Sequence, residues 1–536
     1  MSYFTTNDTF FIVPLNTSDG EIQKINVFLG ILEESRVGEI IEKNFSKSNL
    51  GRKSYNPYKL FASILYCFAM HKGTLRDCEE MIKYDLRLNY INNQATPSYK
   101  TICEFINKII LPNTNEIFCL ITNAIINKYT IDTSIQYLDG TKIEANANKY
   151  KFVWKPRKHH KNLDIKIKAL LETIDQEYSD NLFVTSDKLL SILRDYVTKN
   201  NIKPSEIPNG KGKRLTKQQN LYKLGVKYLN KLLEYEEKER ICGPNRNSYY
   251  KTDHDATAMA LKTDYYSGHG SNMHAAYNVQ FLVSSGLITF FGVFQDRNDF
   301  YTLTPLLIKY HDYYDAYPNN LSADSGYGIY DNYIFLKEHN INNYVKFLNW
   351  NGESSGKNPN KFFLNETQDG FMCLNNKLGK EIAYDNSNHQ KNKNSKMYIF
   401  ESCVNCGYSY VCKAKLKDKN KNYRKAELNI EYEKLKNEAR DNLLSLQGIE
   451  IRINRSIQAE GSFGNLKQNV SYVRFRRRGM KRVSLEIMLM ALALNIRKLF
   501  VIYNQSQIKS KYWNTKDNNV TESETFKKPK EKAVTN

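Results

Sequence analysis

The spacing of hydrophobic and polar residues predicts an N-terminal helical region. Apolar residues recur every three or four positions from Leu60 to Phe68, and Pro57 suits the first turn of this helix. Two further stretches before residue 111 show the same spacing and begin at capping or turn residues, the first of them at Thr74. The region either contacts DNA or is only a packed helical bundle.

The middle of the chain has the alternation that is typical of strands. Residues 135–145 alternate as one strand, and two alternating runs flank Ser285-Gly286, which predicts a β-hairpin. A helical pattern follows, and then a short strand that ends at Asp324. This order predicts a mixed sheet, interrupted by a helical insertion at about 155–250 where two long amphipathic stretches lie.

The last third of the chain changes character twice. Asn-rich text with short strand-like runs, such as "NNYVKFL", "MYIFESC" and "YSYVCKAKL", predicts a β-rich insertion, after which a helical pattern resumes. The final residues are polar and charged, which is typical of disorder. The predicted fold class is α/β, a mixed-sheet core with an N-terminal helical domain, a helical insertion and a β-rich insertion. The predicted units are 1–128 (helical, DNA-binding), 129–328 (first part of the core with the helical insertion), 329–428 (β-rich insertion with a cysteine cluster), 429–503 (the helix that carries Glu460, and the C-terminal helices) and 504–536 (disordered tail).

Composition and charge narrow the class of partner. Among 536 residues, 78 Lys and Arg outnumber 57 Asp and Glu, which gives a net charge of +21 and a pI near 9.2. This balance favours nucleic acid, because neutralising phosphates releases counterions. The N-terminal residues lack the basic segment followed by an apolar segment that is typical of a secretory signal, and the chain has no long uncharged apolar run. Both observations predict a soluble cytoplasmic protein without membrane association. Nine scattered cysteines agree with a reducing compartment.

Three carboxylates stand where a sheet protein could build a metal site. Asp139 lies at the end of the first alternation and Asp324 ends a later strand, so the two can be neighbours in one sheet. Alone, Asp139 beside glycine would be interpreted as a turn residue. Glu460 lies on a predicted helix with Lys467 two turns further on, and the alternative for this pair is a solvated surface. Three such acids suit two Mg²⁺ or Mn²⁺ ions, which promote phosphodiester cleavage.

A run of basic residues follows the predicted glutamate helix. It is either a solvated charge run or a contact to the DNA backbone, and we favour DNA because arginine binds phosphate bidentately. The basic loop at 208–220 is interpreted instead as a solvated surface. The run contains Arg474, Arg476, Arg477, Arg478, Lys481 and Arg482.

A cysteine cluster in the β-rich insertion leaves two interpretations open. Cys403 and Cys406 form a C-x2-C pair, with Cys412 and Cys373 at irregular distances from it. The four either bind a structural Zn²⁺ ion or are free buried thiols of a β-hairpin.

Two further features are interpreted as structural. Trp350 is expected to pack in the protein rather than to stack on a DNA base. Asp253, His254 and Asp255 are adjacent residues of types that bind metal ions, but Asp255 is equally explained as the N-cap of a helix that would follow it.

Five segments, in this order, resemble bacterial insertion-sequence transposases of the DDE type, in the IS-eleven-eighty-two-like group. They are "NPYKLFASILYCFAMHKGTLRDCEEMI", "YLDGTKIEANANKY", "ADSGYG", "RSIQAEGSFGNLKQN" and "SYVRFRRRGMKRVSLEIMLMALALNIRKL". The resemblance covers most of residues 50–500. It implies an RNase H-like core in which Asp139, Asp324 and Glu460 form the catalytic triad.

A related transposase branch carries the signature Tyr-x2-Arg-x3-Glu-x6-Lys, which this chain matches in part. Glu460 and Lys467 have the required spacing, whereas Ser456 stands at the arginine position and Ile453 at the tyrosine position. Arg455 is one place off. The resemblance therefore implies Lys467 as a phosphate contact, with Arg455 as a second and less direct candidate.

The resemblance implies cleavage of double-stranded DNA at transposon terminal inverted repeats and strand transfer into target DNA. A homodimer is expected in the DNA complex, because two ends must be cut and joined together. The protein would act in the bacterial cytoplasm, at the nucleoid when bound to DNA. The alternatives are a metal-dependent nuclease of the same fold without strand transfer, and a decayed element that only binds DNA.

Overall fold

The computed structural model describes eight stretches of the chain. The start of the predicted basic loop, at 208–213, and the end of the predicted tail, at 517–536, lie outside the described residues. The described residues are 20–45, 54–70, 73–174, 182–207, 214–261, 273–383, 394–413 and 420–516.

The N-terminal region is helical, as its apolar spacing predicts. Asn56 and Thr74 cap two of the helices, and the Thr74 side chain accepts a hydrogen bond from the backbone N–H of Asp77. The single helix predicted after Thr74 is in fact two, because the chain turns at Asp85, whose side chain caps the second. The helices are α1 (Gly20–Glu34), α2 (Val37–Asn44), α3 (Pro57–Ala69), α4 (Leu75–Tyr84), α5 (Leu86–Asn92), α6 (Tyr99–Phe105) and α7 (Thr114–Lys128).

The segment Tyr99–Lys128 is long and apolar enough to span a membrane, judged by length and composition alone. It contains α6, α7 and the turns between them, and half of its most apolar window is buried. Ile106, Ile110, Phe118 and Ile121 belong to the main hydrophobic core of the protein. Packing inside the fold therefore explains its hydropathy.

Strands and helices alternate after residue 134. The strands are β1 (Ile135–Glu144), β2 (Phe152–Trp154), β3 (Ser248–Tyr250), β4 (Thr257–Ala260), β5 (Met273–Ser284), β6 (Leu287–Phe294), β7 (Asn320–Ala323), β8 (Asn342–Val345), β9 (Phe362–Leu364), β10 (Phe371–Cys373), β11 (Lys380–Ile382), β12 (Lys396–Phe400) and β13 (Arg424–Leu428). The helices are α8 (Arg157–Ile174), α9 (Ser186–Lys199), α10 (Lys217–Cys242), α11 (Leu303–Tyr314), α12 (Tyr330–Glu338), α13 (Trp350–Ser354), α14 (Ser409–Cys412), α15 (Ile430–Leu444), α16 (Leu446–Arg455), α17 (Gly461–Gly464) and α18 (Met480–Lys516).

A mixed sheet forms the centre of the protein. β1 pairs antiparallel with β5 and parallel with β7, and β7 pairs parallel with β8. β4 and β6 both pair antiparallel with β5. With its helices, this mixed sheet is an RNase H-like core, as the resemblance predicts.

The predicted hairpin is confirmed as β5 and β6. Its two turn residues, Ser285 (φ 50°) and Gly286 (φ 80°), are both left-handed, as a two-residue turn of this kind requires. The backbone N–H of Gly286 donates a hydrogen bond to the Gln458 side chain at 3.1 Å. The turn therefore contacts the segment that leads to Glu460.

The helical insertion is confirmed, with one more helix than predicted. α8, α9 and α10 pack around their own small core, which includes Leu163, Ile167 and Leu232. The two predicted amphipathic stretches correspond to α8 and α10, and α9 was missed. The short antiparallel pair of β2 and β3 connects this insertion to the core.

The β-rich insertion begins later than the predicted boundary at 329. α12 and β8 fall inside the predicted range but belong to the main core, because β8 extends the central sheet beside β7. β9 pairs with β10, and β11, β12 and β13 form a separate three-stranded sheet. The strand predicted in "YSYVCKAKL" is wrong at its start, where the short helix α14 forms instead.

The C-terminal helix α18 packs on both the sheet and the N-terminal helices. The buried Asn495 side chain bonds both backbone groups of Ile288 in β6, at 2.9 and 2.8 Å. On its other side, Asn495 reaches Thr122 of α7 at 3.3 Å. The helix continues to Lys516, past the tail boundary predicted at residue 503, because no Gly or Pro interrupts it there.

Asp255 is a helix cap, but not of the helix that was predicted. Residues after it form β4 and not a helix. Its Oδ2 instead accepts a hydrogen bond from the backbone N–H of Met480 at 2.7 Å, and Asp253 Oδ1 accepts one from Gly479 at 3.2 Å. Both carboxylates therefore satisfy free N–H groups at the start of α18.

Replacing Gly328 with alanine is expected to lower the free energy of unfolding by about 1–3 kcal/mol. A β-carbon there would lie 2.2 Å from the backbone oxygen of Lys346 and 2.6 Å from the Cα of Phe347, neither of which can rotate away. Chemical denaturation followed by circular dichroism measures the change. The control is Gly464→Ala, where no atom would lie within 4 Å and the added methyl should be neutral or stabilising.

Candidate active site

The central sheet sets Asp139 beside Asp324. β1 and β7 run parallel with Leu138 opposite Ala323, so the next residue on each strand is one of the two aspartates. β1 continues through Gly140 to Glu144, which makes the glycine a strand residue and not part of a turn. A β-carbon at Gly140 would lie 2.2 Å from the buried Gln280 side chain, which would have to shift and break its hydrogen bonds to Asn278 and Asp299.

A buried arginine joins Glu460 to this pair. Arg455 is 5% exposed, and its Nη2 donates a hydrogen bond to Glu460 Oε1 at 3.0 Å. Its Nη1 lies 4.0 Å from Asp139 Oδ1. Arg455 was predicted as a phosphate contact, but here its guanidinium lies between two of the three predicted catalytic acids.

A π-helical turn explains how Arg455 reaches Glu460 although it is one place off the signature. An α-helix makes a turn in about 3.6 residues, so residues five places apart lie on different faces. Residues Ser456–Glu460 are π-helical, and the wider turn brings Arg455 onto the face of Glu460. The tyrosine of the signature has no such equivalent, since the residue three places before Arg455 is Arg452.

A lysine that sequence reasoning missed completes this edge of the sheet. Lys346 directly follows β8, just as Asp324 follows β7, and its Nζ lies 3.9 Å from Asp324 Oδ1. Burial lowers the pKa of Lys346, and the charge of Asp324 opposes that change. The alternating run "NNYVK" was recognised as strand-like, but only its pairing with β7 shows that its end is at the site.

A buried polar network lies beside Asp139 and Asp324, and it includes Gln280, which pairs with Gly140 across the sheet. Asp299 Oδ1 accepts hydrogen bonds from Asn278 at 2.7 Å and from Gln280 at 2.9 Å, and the Gln280 side chain also accepts one from the Tyr327 hydroxyl. Burial raises the pKa of Tyr327, and the charges of Asp299, Asp139 and Asp324 raise it further. Asp299 and Tyr327 carry no sequence signal beyond their positions near a strand or helix end.

Lys467 contacts the part of β1 that comes after Asp139 in the chain. Its Nζ donates a hydrogen bond to the backbone oxygen of Lys142 at 3.3 Å. The segment is fixed by Phe463, which stacks on Phe281 of β5 with ring centroids 4.6 Å apart, and by the buried Leu466. Burial of such side chains contributes about 1.5–3 kcal/mol each.

The acids have the right chemistry for a hard divalent cation. Their side chains are 23% (Asp139), 48% (Asp324) and 56% (Glu460) exposed, so solvent and phosphate can reach them. Within the described residues, no three His, Cys, Asp or Glu side chains already form a ready metal site. Arg455 supplies positive charge between two of the acids, and carboxylate oxygens are the ligands that Mg²⁺ and Mn²⁺ prefer.

The predicted basic run lines a cavity of about 510 Å³ between the core and the N-terminal helices. The buried Glu486 accepts hydrogen bonds from the backbone N–H groups of Arg476 and Arg477, at 2.9 to 3.2 Å. Gly73, just before α4, lies so close that a β-carbon there would be 2.6 Å from the Arg476 guanidinium. The basic side chains that line the cavity are Arg476, Arg477, Arg478 and Arg482.

Arg474 and Lys481 flank this cavity and do not line it. Arg474 is half-exposed, with its Nε 3.7 Å from Glu144 Oε1 at the end of β1. Lys481 is exposed in the first turn of α18. The backbone N–H of Phe475 donates a hydrogen bond to the backbone oxygen of Glu144 at 2.8 Å. The basic run is therefore held against β1, the strand that carries Asp139.

Trp350 packs in the protein, as predicted. It is 5% exposed, contacts Phe347 edge to face at 5.3 Å, and lies under the Arg452 guanidinium.

The four cysteines of the predicted cluster line one small cavity. Burial raises the pKa of the Cys403 and Cys412 thiols, which nearby lysine and arginine charges oppose.

Comparison with known families agrees with this architecture. A family model described as "Transposase DDE domain" matches residues 372–500, which include Glu460 and the basic run but neither aspartate. A second model, "Transposase domain (DUF772)", matches residues 17–108 of the N-terminal helices. None of the curated proteins and none of the solved structures compared with the chain matches it. The matches do not single out a subgroup, so the narrower IS-eleven-eighty-two-like assignment stays a prediction. The N-terminal helices and the C-terminal part of the chain, which carries Glu460 and the basic run, are therefore similar to transposase domains, the second of them of the DDE type.

Proposed function

We propose that the protein cuts DNA at the ends of its insertion sequence and joins the freed 3′-hydroxyl to a phosphate of the target. The supporting observation is the parallel pairing of β1 with β7, which sets Asp139 beside Asp324. Arg455 connects Asp139 with Glu460. Two acids at one sheet edge and a third on the adjoining helix, in a basic protein, suit phosphodiester chemistry on DNA.

In this proposal Asp139, Asp324 and Glu460 hold two divalent ions, Mg²⁺ or Mn²⁺. Transposases with a DDE domain generally use divalent metal ions. When bound, such ions stabilise the charge on the attacking and leaving oxygens of the phosphate. Lys346 lies beside Asp324, and Lys467 contacts β1 three residues beyond Asp139. Both lysines would orient the negatively charged phosphate.

Arg455 has a positioning role in the proposal. Carboxylates repel one another, and a cation within 3.0 Å of Glu460 and 4.0 Å of Asp139 offsets that repulsion. Because its side chain is buried, Arg455 cannot move away freely to bind DNA. It would keep the acids close together before the metal ions arrive.

The arginine-lined cavity is proposed as a contact to the DNA backbone. Glu486 fixes the backbone of the basic run. The guanidinium groups of Arg476, Arg477 and Arg478 would therefore bind phosphates with little further loss of backbone conformational entropy. The N-terminal helices form the opposite wall and would therefore take part in DNA binding. Arg474 and Lys481 would extend the contact on either side.

A homodimer on paired transposon ends, in the bacterial cytoplasm at the nucleoid, is part of the proposal. Each copy of the chain would hold one end, because cleavage and joining of two ends must be coordinated. Sedimentation of the protein with and without end DNA would test the stoichiometry.

Replacing Asp139, Asp324 or Glu460 with alanine is expected to reduce Mg²⁺-dependent nicking of end DNA by about 100-fold or more. Each change removes a group that stabilises transition-state charge, while the basic DNA contacts remain. Gel analysis of a labelled duplex that carries the element's own end measures nicking, and Asp312→Ala, an exposed carboxylate on α11, is the control. A variant that cuts as well as the wild type would show that its residue is structural.

The same assay, with a precut end and a supercoiled target, distinguishes the alternatives. A transposase yields joined products, and a nuclease of the same fold yields nicks alone. A decayed DNA-binding protein retards the duplex and yields neither.

The Arg455→Gln variant is expected to gain more thermal stability from Mg²⁺ than the wild type does. Without the guanidinium, Glu460 and Asp139 repel each other until a cation binds, so the metal offsets a larger penalty. Unfolding temperatures with and without Mg²⁺ measure the difference, and Arg452→Gln on the same helix is the control. Equal increments in the Arg455 variant and the wild type would contradict this role.

Replacing Arg477 or Arg482 with glutamine is expected to weaken binding to all DNA sequences alike. The slope of log K against log salt should become shallower by about one per lost phosphate contact. Fluorescence anisotropy at several salt concentrations measures the slope. Lys203→Gln, an exposed lysine of the helical insertion, should leave it unchanged.

A further inference from the structure

The β-rich insertion brings four cysteines from three places in the chain to one cavity. Cys373 ends β10, Cys403 and Cys406 lie in the loop after β12, and Cys412 ends α14. All four line a cavity of about 20 Å³, which the ring of Phe400 helps to close. Thiols that are 39 residues apart in sequence thus lie together.

The size and wall of the cavity suit one small cation. A water-sized occupant needs about 10–15 Å³, so this space is large enough for a single small ion. Thiolates are ligands that Zn²⁺ prefers, and the C-x2-C spacing of Cys403 and Cys406 is typical of structural zinc sites. Asn405 between them is left-handed, with φ 58°, and turns the chain within the pair.

Two basic residues line the same cavity. Lys413 is 5% exposed beside Cys412, and Arg424 donates a hydrogen bond to the Cys412 backbone oxygen. A zinc ion with four thiolates carries net negative charge, which adjacent cations stabilise. In an insertion with no ion to bind, these partly buried thiols would need no such neighbours.

The insertion has little else to stabilise it. Among its described residues, the insertion has a hydrophobic core of four buried side chains and strands of three to five residues. Small units with so little buried apolar surface are usually stabilised by a metal ion or by disulfides. The four cysteines are free thiols. The buried core residues are Phe362, Phe371, Tyr398 and Phe400.

We propose that Cys373, Cys403, Cys406 and Cys412 bind one structural Zn²⁺ ion, which stabilises the β-rich insertion. The side chains are not yet grouped as a ready metal site. Binding therefore requires the thiols to rotate into the cavity and to release their protons to solvent as four sulfur–zinc bonds form. The site is separate from the three carboxylates and does not depend on the proposed reaction.

The test is the zinc content of the full chain, purified under reducing conditions after expression with added zinc and measured by mass spectrometry. The wild type is expected to contain about one zinc ion per chain. Cys403→Ser, Cys406→Ser and Cys412→Ser should each lose it and unfold at a lower temperature. Cys103→Ser, in α6, is the matched control and should retain the metal.

Cobalt replacement keeps the proposal testable if the serine variants do not fold. Zinc-depleted wild type loaded with Co²⁺ should show the intense visible absorption of a tetrahedral thiolate site. Asp324→Asn should retain both zinc and this spectrum, which separates the site from the carboxylates. A wild type without zinc and without the cobalt spectrum, or zinc that persists in all the serine variants, would overturn the proposal.

Discussion

The parallel pairing of β1 with β7 is the contact on which the candidate active site depends. Their register brings Asp139 and Asp324 together, although 185 residues separate them in the chain, and β8 adds Lys346 at the same edge. Parallel strands need long connections, and here the helical insertion and the hairpin lie between the paired strands. The buried network around Gln280 and Tyr327 then fixes the edge from behind, so that the acids project from a rigid support.

Charge balance is the second constraint on the site. Two aspartates and a glutamate at one place repel each other, and the protein offsets this with the buried Arg455 and the partly buried Lys346. The π-helical turn before Glu460 is the backbone feature that allows the arginine to serve both acids. Such turns are rare and occur often at functional sites, in line with the role proposed for Arg455.

The same helices that complete the core also connect it to the proposed DNA contact. α18 packs on β6 and on the N-terminal helices, and Asp253 and Asp255 of the core cap its start, next to the basic run. Glu486 in α18 holds the backbone of that run. The acids, the arginines and the N-terminal helices are therefore parts of one packed unit, which would couple the proposed cleavage to the proposed DNA contact.

The sequence by itself determined the local features of this protein. Apolar periodicity predicted the N-terminal helices, the hairpin at Ser285-Gly286 and the strands that carry Asp139 and Asp324, because these patterns depend on neighbours within a few residues. Only the tertiary structure decided that β8 belongs to the core, that Asp255 caps α18, and that Arg455, one place off its signature, reaches Glu460. Each of these depends on groups that are distant in the chain or on a local change of helix type, and neither leaves a trace in the spacing of hydrophobic residues.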